Sequence, residues 1–102
     1  MHLVQVLLPV YDNDGQLFSR DEFARVRREL TDRFGGATAY TRAPAEGSWE
    51  DDTGRVHHDD VVVIEVMVES LDRAWWTTYR RTLAGRFRQV ELVIRATAME
   101  SL

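Results

Sequence analysis

The stretch from Arg20 to Arg42 recurs 53 positions later, so that Arg20, Arg27, Arg28, Leu30, Arg33, Phe34 and Arg42 fall on Arg73, Arg80, Arg81, Leu83, Arg86, Phe87 and Arg95. A repeat constrains the fold more tightly than composition does, because a structure that suits one copy must suit the other. Each copy has a helical pattern flanked by strand-like runs, so the chain reads as two βαβ halves. With 102 residues, there is material for a single domain, residues 1–102, around one core.

Leu3 to Val10 is a nearly continuous aliphatic run ending in Pro9 and the turn-forming Asp12-Asn13-Asp14-Gly15, which predicts a buried strand and a loop. Ser19, with Glu22 three residues on, has the form of a capping box, in which hydroxyl and carboxylate each satisfy an orphan backbone donor. Phe23, Val26, Leu30 and Phe34 then form one helical stripe, and Gly35-Gly36 ends it. The second helix is capped by Ser70 or Asp72, and its stripe is Trp76, Tyr79, Leu83 and Phe87. Between the helices, strands over Ala37 to Trp49 and Arg55 to Val68 meet at the turn Asp51-Asp52-Thr53-Gly54. Centring the hairpin there sets Tyr40 opposite Glu65, Arg42 opposite Val63 and Thr38 opposite Met67. Pro44 and Gly47 favour a bulge, and Pro44 marks its strand as an edge. Gln89 to Ala98 supplies the last strand. The order β-α-β-β-α-β, with right-handed crossovers, predicts an α+β ferredoxin-like fold: a four-stranded antiparallel sheet with two helices on one face.

Composition excludes several classes of function. Without Cys there is neither a disulfide framework nor thiol catalysis, as suits a reducing cytoplasm. The start of the chain lacks the pattern of a secretion signal, and no apolar run reaches membrane-spanning length, so a cytoplasmic protein without a membrane partner is expected. A net charge of −4 argues against nonspecific binding of nucleic acid. All 13 basic residues are Arg, a bias that GC-rich codon usage produces, so a single Arg says little about function.

Alternation divides the strand residues into two faces. Val4, Val6, Leu8 and Val10, Val62, Ile64, Val66 and Val68, and Val90, Leu92, Ile94 and Ala96 are aliphatic and belong beneath the helices. The opposite set is Leu3, Gln5 and Leu7; Thr38, Tyr40 and Arg42; Val61, Val63, Glu65 and Met67; and Glu91, Val93, Arg95 and Thr97. It is too apolar to face water and too polar for an ordinary core, which suits a surface shared with a partner or lining a pocket. Two-fold pairing of that face predicts a homodimer.

The β-α-β-β-α-β pattern with this mixed open face resembles the dimeric α/β-barrel proteins, which include antibiotic-biosynthesis-type monooxygenases. The segment from Arg33-Phe34-Gly35-Gly36 to Tyr40, with Gly47-Ser48-Trp49 and Gly54, is similar to small uncharacterised bacterial proteins of that build. The resemblance spans essentially the whole chain. It implies two sheets packed face to face around a cavity.

Glu65 is the leading candidate for chemistry, because it interrupts an aliphatic strand where an unpaired charge costs several kcal/mol. Arg42 is its expected partner. The two are either a structural pair at an interface or, with Glu65 as general base or ligand anchor, part of a site. Arg42 and Arg95 occupy equivalent positions in the repeat and can either clamp an anion or lie at an interface rim. The hydroxyls of Tyr40 and Tyr11 suit polarising a carbonyl, although Tyr on a strand is commonly packing. Trp76 aligns with Phe23 and belongs to the core, which leaves Trp75 as an interface anchor or cavity wall; Trp49 is in a similar position.

His57-His58-Asp59-Asp60 invites a metal reading, but alternation lets at most two of these share an ion, and no metal or cofactor is expected. Asp12-Asn13-Asp14-Gly15 lacks the later Glu of a calcium loop and is better read as a turn. The leading functional reading is a homodimer with a pocket for a small aromatic or anionic molecule, lined by Tyr40, Arg42, Glu65, Arg95 and Trp75. One alternative is a cofactor-independent monooxygenase or isomerase using Glu65 as base, with Tyr40 and an Arg stabilising an enolate oxygen. The other is an interaction module without a ligand.

Overall fold

A computed structural model describes the backbone of residues 1–102 and all side chains except those of 42–47 and 56–59. The elements are β1 (His2–Pro9), α1 (Arg20–Phe34), β2 (Thr38–Glu50), β3 (Val56–Val68), α2 (Arg73–Arg86) and β4 (Ile94–Ala98). Neighbouring strands are antiparallel in the order β2-β3-β1-β4, and both helices lie on one face of the sheet, a ferredoxin-like α+β fold. The Pro44 strand is indeed an edge.

The core is the aliphatic alternation of β1 and β3 packed beneath the two helical stripes. Val4, Val6, Leu8, Val62, Ile64, Val66 and Val68 are buried against Phe23, Val26 and Leu30 of α1 and Trp76, Tyr79 and Leu83 of α2. The 53-residue repeat reappears as pseudo-symmetric packing. Phe34, at the end of α1, stacks on Trp76 near the start of α2, with ring centroids 5.3 Å apart. Their counterparts in the repeat, Phe87 after α2 and Phe23 near the start of α1, stack at 5.9 Å. Each helix end is thus sealed by the other helix's beginning, and burying an aromatic side chain in this way is worth about 1.5–3 kcal/mol.

The repeat also survives where its sequence has diverged. Gly35 caps α1 in the left-handed conformation, at φ 86°, and donates its N–H to the Thr31 carbonyl. At the corresponding position after α2 stands Arg88, also left-handed, at φ 54°. Asn13 Nδ2 donates to the Arg88 carbonyl, and Asp12 lies 3.6 Å from its guanidinium, so the first loop braces a conformation that a side chain disfavours. Asp12 Oδ1 also accepts from the amides of Asp14 and Gln16, which makes this loop a self-satisfied turn.

Three local expectations are corrected, and the choice of cap at the second helix is decided. Ser19 is at the N-cap of α1, but its hydroxyl makes no capping bond, and Glu22 meets it only through backbone. At α2 the cap is Asp72, whose carboxylate accepts from the Trp75 amide at 3.1 Å. The β2/β3 register is displaced by two residues, with Thr38 opposite Glu65 and Tyr40 opposite Val63, because an irregularity between Tyr40 and Ala45 inserts extra residues into the edge strand. Finally, β4 starts at Ile94, so Val90 lies in the preceding loop, fully exposed, and Ala96 is exposed as well.

The helices are joined by a charged clamp: Arg86 Nη1 and Nη2 donate to both carboxylate oxygens of Glu29, at 2.6 and 3.1 Å, and the Tyr79 hydroxyl donates to the first of these at 3.1 Å. The Arg86 hydrogen bonds hold the Glu29 carboxyl below its ordinary value of 4.5, while burial, together with the Glu29 charge, pushes the Tyr79 phenol up. A carboxylate depressed in the folded state contributes stability above its unfolded value and loses it as pH falls through the folded value. The stability advantage of wild type over Glu29→Gln should therefore be full at pH 7 and shrink below about pH 4.5. Urea unfolding of both proteins from pH 7 to pH 3 checks this, and a constant difference would show that Glu29 is not held as a carboxylate. At the caps, Asp72→Ala should cost about 1 kcal/mol and Ser19→Ala less than about 0.5 kcal/mol, measured by the same unfolding.

Candidate functional site

With both helices on one face, the other face of the sheet is left bare, and cross-strand register arranges it in rows. Leu3 faces Met67 and Thr97 in one row. Gln5 faces Glu65 and Arg95 in the next, with Thr38 beyond Glu65. Leu7 then faces Val63, with Tyr40 beyond it and the Val93 carbonyl bonded to the Leu7 amide. A single polar row is therefore enclosed between two apolar ones.

The polar row is joined by direct hydrogen bonds. Arg95 Nε donates to Gln5 Oε1 at 2.8 Å, Gln5 Nε2 donates to Glu65 Oε1 at 2.7 Å, and the Tyr40 hydroxyl donates to Glu65 Oε2 at 3.2 Å. This chain crosses all four strands, in the order β4, β1, β3, β2. Gln5 must turn its carbonyl to the guanidinium and its amide to the carboxylate, since only that orientation satisfies both neighbours. Its dipole is thus aligned between a cation and an anion, and each bond strengthens the next. Gln5 and Glu65 are half-buried, and Arg95 and Tyr40 are exposed. Each oxygen of Glu65 keeps a second lone pair, and with it the capacity to accept from a ligand.

Of the residues expected at the site, Tyr40, Glu65 and Arg95 come together in this chain. The described partners of Glu65 are Gln5 and Tyr40; the side chain of Arg42, the expected partner, lies outside the described residues, as do those of His57, His58 and Asp59. Trp75 does not join the site. It is half-buried in the helical layer, stacked on Tyr79 at 4.8 Å and covered by the Arg33 guanidinium at 4.2 Å, on the opposite side of the sheet from Glu65. Tyr11 lies past the end of β1, where with Leu7, Val61 and Val93 it lines a groove of about 770 Å³. Gln5 is the residue that sequence reasoning passed over. Its signal was present, as a lone amide alternating with Leu3 and Leu7 on the face that holds Glu65.

No protein-family model and no curated protein matches the chain. Solved structures that share its fold include two of a phage SAM lyase. A phage SAM lyase in complex with S-methyl-5'-thioadenosine superposes with a TM-score of 0.64 and 14% sequence identity, over 94% of this chain and 79% of that one. A phage SAM lyase in the apo state gives 0.61 and 14%, over 94% and 78%. At this identity, the likeness is one of fold.

The negative charge of Glu65, and then the hydrogen bond between the two groups, raises the Tyr40 phenol above its ordinary value of 10.0. Replacing Glu65 by Gln removes that charge, so the Tyr40 titration should return towards 10.0. Ultraviolet titration of wild type and Glu65→Gln, each corrected with a Tyr40→Phe partner, resolves the change. Superimposable curves would mean that phenol and carboxylate do not meet in solution.

Proposed function

We propose that this chain is a self-associating small-molecule-binding domain, in which two copies pair open face to open face and hold a small aromatic or anionic ligand against the row Arg95, Gln5 and Glu65 and the adjoining Tyr40. One observation carries the reading: a charged, internally bonded row lies between apolar rows on a face that no helix covers. Tyr40, Met67 and Val93 are each 50–56% exposed, a costly arrangement for a lone chain. A second copy would bury them and turn a shallow surface into an enclosed site. Tyr40 would then offer a flat wall, Arg95 a cation and Glu65 an acceptor.

The fold likeness to SAM lyase, taken with the contact between Glu65 and Tyr40, favours a second reading, in which the same face serves a sulfonium substrate. A carboxylate attracts the fixed positive charge of a sulfonium and can accept a proton from a carbon next to it. Tyr40 would orient that carboxylate. The two readings share a site and differ in the ligand.

Sedimentation equilibrium should give a dimer at micromolar concentration, and Met67→Asp should dissociate or unfold it. A clean wild-type monomer would overturn the paired-face reading. A thermal-shift screen should then find small hydroxylated aromatic acids, or S-adenosylmethionine with its sulfonium charge, stabilising wild type by several degrees and Glu65→Gln much less. Stabilisation by S-adenosylmethionine alone would select the second reading. Equal stabilisation of both proteins would move the site away from Glu65.

A further inference from the structure

The repeated arginines at the helix starts have no part in the site above. Arg73 and Arg80 lie seven residues apart on α2, so they project from one side of the helix, two turns apart, with Trp76 and Thr77 between them. Opposite them runs the short edge strand β4, whose small side chains at Ala96 and Ala98 leave open the space that a longer residue would fill. The result is a groove of about 350 Å³ between α2 and β4, with His2 of β1 also in its lining.

We propose that this groove binds the oxyanion group of a small molecule, a phosphate or a carboxylate, between Arg73 and Arg80. Two kinds of observation converge on it. The first is charge: α2 carries Arg73, Arg80, Arg81 and Arg86 with no acidic residue, in a chain whose net charge is −4. Arg80 is half-buried, and among the described residues neither Arg73 nor Arg80 has an ion-pair partner. The second is unsatisfied polarity. The indole N–H of Trp76, a residue 6% exposed, and Nδ1 of His2 are both buried without a hydrogen-bond partner, and both residues line this groove. The indole N–H of Trp76 can only donate, so an unpaired one beside a cationic groove marks a place where an acceptor belongs, and His2 Nδ1 adds a second unpaired polar atom there.

The repeat supplies an internal comparison. Arg20, Phe23, Ala24 and Arg27 of α1 are the counterparts of Arg73, Trp76, Thr77 and Arg80, and they line a corresponding groove beside β2. There, Asp21 and Glu22 occupy the first turn of the helix, where α2 has no acid, and Phe23 has no N–H to offer. The same scaffold therefore carries one groove suited to an anion and one that is electrostatically offset.

Titration of the full chain with inorganic pyrophosphate and, separately, with succinate, at constant ionic strength, tests the site. Binding is followed by calorimetry and by the Trp76 indole N–H resonance, assigned by single Trp→Phe replacements. The expected result is saturable binding of at least one probe with a shift of the Trp76 indole. Arg73→Gln/Arg80→Gln should weaken it about tenfold or more, and Arg20→Gln/Arg27→Gln should change it less than about threefold. Saturation by pyrophosphate alone would identify a phosphoryl group, and by succinate alone a carboxylate. Binding by neither probe, or equal weakening by the two double variants, would overturn the proposal.

Discussion

Two helices can cover only one face of a four-stranded sheet, and most of what is distinctive in this chain follows from that shortage. The covered face is solved by aliphatic alternation under aromatic stripes, as in any small α+β domain. The bare face cannot be solved in that way, because a wholly apolar sheet would aggregate and a wholly polar one would contribute no burial. The sequence places one polar row between two apolar rows and lets the polar side chains satisfy one another along the hydrogen-bonding direction of the sheet. Strand pairing itself holds Arg95, Gln5 and Glu65 within reach, so little side-chain freedom remains to be lost when they bond.

The helical layer is organised by the repeat. Stacking of Phe34 on Trp76 and of Phe87 on Phe23 fixes how far one helix slides along the other, since any shift along the axis would break one contact without improving its twin. Around this symmetric frame, the two halves have specialised. Arg33 lies over Trp75, whereas its counterpart Arg86 clamps Glu29, so each arginine reaches the opposite helix but meets a different chemistry there. Gly35 and Arg88 show the same divergence in backbone form: the left-handed turn is kept, and in the second copy the first loop supplies the support that glycine makes unnecessary.

Features set by periodicity were legible in the sequence, namely the element order, the helical stripes, the two faces of the sheet and the position of Glu65 among aliphatic neighbours. Features set by a competition between near-equal local partners were not. The hairpin register depended on how many residues the irregularity near Pro44 absorbs, and the two-residue displacement at Thr38 and Tyr40 kept these two on their expected face while changing their neighbours. Glu65 bonds Gln5 on the neighbouring β1, a pairing set by the alignment of strands distant in sequence, which turn geometry within the hairpin does not determine. The Ser19 hydroxyl failed as a cap although its residue type and spacing were right, because the motif records capacity and not the rotamer adopted. Trp75 stays partly exposed on its helix, as its exclusion from the sheet-facing stripe implies, but it packs against Phe34 and Tyr79 and does not reach the face that holds Glu65.

The two edges of the sheet complete this division of labour. β2 is long and irregular, whereas β4 has five residues with small side chains toward its end. A short edge strand limits pairing with foreign strands, and it also leaves α2 overhanging space that the sheet does not fill. On the α1 side, acidic residues in the first turn complement the helix dipole and offset the neighbouring arginines. On α2 that role falls to the capping carboxylate of Asp72, which accepts from the Trp75 amide and lies 4.0 Å from Arg33. The helix itself, Arg73–Arg86, carries four arginines and no acidic residue to offset them. A molecule with an overall charge of −4 thus retains a local surface that attracts anions.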